Sequence, residues 1–89
     1  SISKTLHYLQ NMNFNIISLD MSGENIQDTK IDPLKPIALV VGSEHDGISD
    51  DVLKISNNIV SIPMKGEVSS LNVSVATGIT LYTIFLKRN

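Results

Sequence analysis

Apolar residues Ile2, Leu6, Leu9 and Met12 recur every three to four positions and predict a first helix, with Ser1 or Ser3 as its N-cap. Phe14 to Leu19 reads as a short strand, and the polar, turn-rich stretch from Asp20 to Lys35 as a surface loop. Ile37 to Val41 is an unbroken apolar run ending at Gly42. A run without alternation needs cover on both faces, which predicts a central strand of a parallel sheet. Ser49 is a good N-cap for a second helix, because Asp50 and Asp51 stand in its favourable first turn and Val52, Leu53 and Ile55 follow. Asn58 to Ile62 forms a third strand, closed by Pro63. The segment from Leu71 to Leu86 fits two patterns. Val73, Val75, Thr77, Ile79, Leu81, Thr83 and Phe85 alternate as in a strand, whereas a helix would be apolar on more than one face and need burial on more than one side. Periodicity leaves both open.

Eighty-nine residues allow one small domain, and 42% hydrophobic residues place it among globular chains. With no cysteine and two isolated histidines, His7 and His45, there is no disulfide framework, no thiolate chemistry and no expected metal site. Neither a signal peptide nor a span long enough for a bilayer is visible, so a cytoplasmic location is expected. The formal charge of −2 and a single arginine, Arg88, argue against RNA binding by this stretch alone. The chain starts without Met in helix-like sequence and ends just after an apolar run, the look of a piece of a longer protein.

Two segments carry candidate chemistry. Gly42 to Ser49 follows the buried strand, where ligands bind in parallel α/β sheets. It has no Gly-x-Gly-x-x-Gly fingerprint, and Ile48 replaces the lysine that a phosphate-binding loop needs. Glu44 and Asp46 would repel a phosphate and suit a ligand of cationic character. A plain strand–turn–helix connection capped by Ser49 explains the same residues equally well. Ile62 to Ala76 combines a proline bend, a glycine turn and small polar residues entering an apolar element. A helix starting at Ser70 or Asn72 would gather free N–H groups there. The simpler alternative makes Ser69 or Ser70 an ordinary N-cap and Asn72 a first-turn residue.

Taken together, Gly-x-Glu-x-x-Gly-Ile-Ser followed by Ile-Pro-Met-x-Gly-x-x-x-Ser-Leu-Asn-Val-Ser-Val-Ala resembles the second and third motifs of the SpoU methyltransferases, in the SPOUT superfamily. The likeness runs from about Ile37 to Tyr82. It implies the C-terminal part of an α/β-knot domain over residues 1–89: a parallel sheet flanked by helices, with an apolar C-terminal helix from Leu71 to Leu86. It further implies methylation of a ribose 2'-hydroxyl in tRNA or rRNA, with S-adenosyl-L-methionine as cofactor. By the same resemblance, Gly42, Ile62, Met64 and Leu71 would hold the cofactor in a pocket made by a trefoil knot. Glu44, Ser70 and Asn72 would be the catalytic-site polar residues. Ser70 would position the target phosphate, Asn72 order the site, and Glu44 organise its loop or touch substrate. A homodimer through the C-terminal helix is expected.

The sequence departs from the family in two ways. The family's first motif, with the arginine that activates the 2'-hydroxyl, has no counterpart, and Arg88 stands at the wrong end of the chain. His45 and Asp46 replace a glycine and a variable residue of many relatives. The isolated chain is therefore expected to be inactive while keeping a cofactor pocket. The competing reading is a module of the same fold that binds cofactor or RNA without catalysis.

Overall fold

The computed structural model describes residues 1–43, 46–63 and 72–89. Helix α1 (Ile2–Asn11) is followed by β1 (Asn15–Asn25), a short 3-10 turn (Ile26–Asp28), β2 (Ile37–Val41), α2 (Asp50–Ile55), β3 (Asn58–Ser61) and α3 (Val73–Arg88). The three strands are all parallel, in the order β2-β1-β3. Ser1 and Ser49 cap α1 and α2 as expected, accepting from the amides of Lys4 and Val52. The exit from α1 is a Schellman turn: Asn13 takes φ +70°, its amide donates to Gln10 O, and the Phe14 amide donates to Leu9 O.

The central strand is β1, and the apolar run of β2 lies at an edge of the described sheet, which corrects the expected order. An unbroken apolar strand needs cover on two faces rather than neighbours on two sides. Here Ala38 and Val40 pack with Leu6, Ile16 and Val52 under α1 and α2. On the other face Ile37 and Leu39 join Ile17, Val60 and Ile84 beneath α3. Alternating residues of β1 thus feed two separate cores.

The stretch expected as a surface loop from Asp20 to Lys35 contributes to the core. Strand β1 runs on to Asn25 through a register shift between Leu19 and Glu24, and Ile26, Thr29 and Ile31 are buried. Gly23 permits this, because a Cβ there would meet the Ile59–Val60 backbone at 2.5–2.6 Å. Two apolar residues among polar ones are enough to dock a segment when the backbone can approach so closely.

The ambiguous C-terminal segment is a helix. Three threonine hydroxyls, of Thr77, Thr80 and Thr83, donate to the carbonyls of Val73, Ala76 and Ile79 one turn earlier, so each polar group is satisfied within the helix. Only Thr80 and Ile84 of α3 are fully buried, and Val75, Ile79, Tyr82, Phe85 and Leu86 are exposed. Among the described residues, no helix is long and apolar enough to cross a membrane.

Candidate functional site

The carboxyl ends of the parallel strands bring two of the sequence-selected residues to one edge. Val41, Leu19 and Val60 are level in the sheet, so Gly42 leaves β2 and Ile62 follows β3 on either side of β1. Across two strand spacings they stand roughly 10 Å apart. Both are half-buried. In a parallel α/β sheet this is the edge at which ligands bind.

After Gly42 the chain closes on itself. Ser43 and Gly47 form an isolated antiparallel bridge, with the Gly47 amide donating to Ser43 O at 3.2 Å. Ser43 Oγ accepts from the Asp46 amide at 3.0 Å. Gly47 has φ +66°, a conformation costly for any residue with a Cβ. Asp46, in the position where the sequence departs from its resemblance, is exposed and takes part in this turn through its backbone.

Asn72 is the N-cap of α3, its Oδ1 accepting from the Ser74 amide at 2.8 Å. The expected helix start at Leu71 therefore falls at Val73, and Asn72 caps the helix rather than standing in its first turn. Its side chain is exposed. Glu44, Met64, Ser70 and Leu71 lie outside the described residues.

Sequence reasoning missed a further part of this edge, the Asp20–Gly23 excursion of β1 at the level of Val60. Asp20 Oδ2 accepts from the Ser22 amide and hydroxyl, and Gly23 O accepts from Ser61 Oγ at 2.9 Å beside Ile62. The Asp-Met-Ser-Gly turn signal was present, but nothing local tied it to β3. Among the described residues of this edge the charged side chains, Asp20 and Asp46, are acidic.

Arg88 is engaged elsewhere. Its Nη2 donates to Pro33 O at 3.3 Å and Lys35 O at 3.0 Å, and Lys87 Nζ donates to Gln27 O at 2.8 Å. A shallow groove of about 470 Å³, lined by Ile37, Leu39, Leu81, Ile84, Phe85 and Arg88 among others, lies at this end and contains none of the selected residues.

A parallel α/β domain with Gly42 and Ile62 at the carboxyl ends of its outer described strands is the class that this fold defines. The chain belongs to the SpoU rRNA Methylase family, whose profile matches residues 1–82. It is 42% identical over 81 residues to a tRNA (guanosine(18)-2'-O)-methyltransferase of Aquifex aeolicus, covering 91% of this chain and 38% of that protein. It is also 42% identical over 89 residues to a 23S rRNA (guanosine-2'-O-)-methyltransferase of Haemophilus influenzae, covering 99% and 36%. Among solved structures, the A. aeolicus TrmH/SpoU tRNA modifying enzyme superposes with a TM-score of 0.80 at 37% identity, over 96% of this chain and 43% of that one. The SpoU methyltransferase AviRb of Streptomyces viridochromogenes, solved in complex with AdoMet, gives 0.82 at 26% identity, over 99% and 36%. The chain thus spans less than half the length of each of these relatives.

Proposed function

We propose that this chain is the C-terminal, S-adenosyl-L-methionine-binding part of an RNA ribose 2'-O-methyltransferase catalytic domain acting on tRNA or rRNA. The observation that supports this reading is that Gly42 and Ile62 flank β1 at the carboxyl edge of the sheet, in a chain of the SpoU family. The donor set fits the cofactor: strand-end main chain for the uncharged adenosine, and acidic rather than basic described side chains near a sulfonium. Gly42 and Ile62 would hold it from the strand ends, and Met64 and Leu71 would complete the pocket within the knotted segment.

When bound, the cofactor supplies an electrophilic methyl group to an attacking ribose 2'-hydroxyl. The contribution of this chain is to hold that methyl in line with the nucleophile. Asn72 fixes the start of α3 by capping it, so that Ser70, two residues before, can present its hydroxyl to the RNA phosphate. Glu44 organises the loop that closes between Gly42 and Gly47. A hydroxyl nucleophile also needs a base or polarising group, and the sole arginine is bonded to backbone carbonyls at the far end of α3. By itself the chain therefore holds cofactor and transfers no methyl until an activating arginine comes from elsewhere in the protein; the competing reading is a module of the same fold that binds cofactor or RNA without catalysis.

The exposed row Val75, Ile79, Tyr82 and Leu86 on α3 is spaced at one helical face and supports a homodimer through this helix. Isothermal titration calorimetry with S-adenosylhomocysteine tests the central claim. Micromolar binding by the folded chain is expected; no binding by a sample with a cooperative thermal transition would overturn it.

A further inference from the structure

Helix α3 is held to the sheet by few contacts. Thr80 and Ile84 are its buried residues, and its last turn is tied down by three hydrogen bonds from Lys87 and Arg88 to the carbonyls of Gln27, Pro33 and Lys35. Those acceptors belong to the segment that runs from the 3-10 turn to the start of β2, so Arg88 joins the end of α3 to the strand that delivers Gly42. Its planar fork reaches two carbonyls from one nitrogen, which a lysine ammonium does with less geometric constraint.

Ile84 seats α3 on the core, four residues from Arg88 and twelve from Asn72. A sixteen-residue helix is marginal in water without a packing surface, so loosening its last turn loosens the docking of the whole helix, the Asn72 end included. We infer that Arg88, with Lys87, is a positioning latch for the cofactor-site end of α3, acting through the helix and not by contact with ligand. The latch rests on the cofactor reading above only for its consequence in binding; its effect on the helix stands alone.

Hydrogen exchange of the Ser74 and Ala76 amides, compared with that of Ile16 and Ile17 in β1, tests the latch without ligand. Arg88→Met is expected to speed exchange at Ala76 at least tenfold while leaving β1 unchanged. Calorimetry with S-adenosylhomocysteine, well below each variant's melting transition, is expected to show at least fivefold weaker binding. Arg88→Lys should restore most of both, and it guards against global unfolding as the cause. Gln10→Ala removes hydrogen bonds to Ile55 O and Asn57, on the face of the sheet covered by α1 and α2, and controls for general destabilisation. Unchanged exchange at Ala76 in Arg88→Met, or a binding loss no larger than in Gln10→Ala, overturns the latch. If the unsubstituted chain fails to bind, the cofactor reading falls, and the exchange comparison still decides the latch.

Discussion

Gly42 and Gly47 lie backbone against backbone: a methyl group at Gly42 would stand 2.5 Å from the carbonyl carbon of Gly47 and 2.7 Å from its Cα. The contact closes the loop that leaves β2, and each glycine is required for a different reason. At Gly42 the obstacle is space. At Gly47 an added Cβ would meet nothing within 4 Å among the described residues, and the obstacle is φ +66°.

Gly42→Ala must push the loop open, whereas Gly47→Ala adds only backbone strain of about 1–2 kcal/mol. Gly42→Ala is therefore expected to weaken S-adenosylhomocysteine binding tenfold or more, and Gly47→Ala by less. Calorimetry on both variants checks the order; a larger loss in Gly47→Ala would contradict it.

Ile84 is 4% exposed and is the apolar residue that seats α3 on the core of Ile17, Ile26, Ile31 and Val60. Ile84→Ala should cost about 2–4 kcal/mol, from lost burial and the cavity left behind. Urea unfolding followed by circular dichroism reads this directly. A loss below about 1 kcal/mol would mean that α3 is seated by other residues.

Asn72 has two separable roles, cap and site residue. Asn72→Asp keeps an acceptor for the Ser74 amide, while Asn72→Ala removes it at about 1 kcal/mol. If Asn72 acts only as a cap, Asn72→Asp binds S-adenosylhomocysteine as the parent does. If it also orders the site through its amide, as proposed, Asn72→Asp keeps its stability and loses affinity.

The exposed α3 row offers a direct test of assembly. Ile79 and Tyr82 are 41% and 63% exposed and make no essential contribution to the chain's own core. Ile79→Glu combined with Tyr82→Glu should turn a dimer into a monomer in sedimentation velocity with little change in melting temperature. A wild-type monomer at micromolar concentration would remove the dimer from the proposal.

Much of the fold was legible along the chain. Helix α1 announced itself by its spacing and Ser1, α2 by Ser49 and its two aspartates, and β2 by its apolar run, because caps and periodicity act over a few residues. The two-motif pattern likewise marked Gly42, Ile62 and Asn72, since it consists of residue identities at fixed spacing. The Asp20–Gly23 excursion could not be read this way. Its place depends on Gly23 meeting the backbone of Ile59 and Val60, a contact across 36 positions of sequence.

The sequence by itself determined α1, the start of β1, β2, α2 and β3, the membership in the SpoU family and the residues at which a ligand would be sought. These rest on local hydrogen bonding and on residue order, both written along the chain. Only the tertiary structure decided that β1 is central and that Ile26 and Ile31 are core, and it made Val73–Arg88 the helix that the resemblance implied and periodicity left open. It also placed Arg88 on the carbonyls of Pro33 and Lys35. Those outcomes depend on which surfaces cover one another, and burial is a property of the assembled chain.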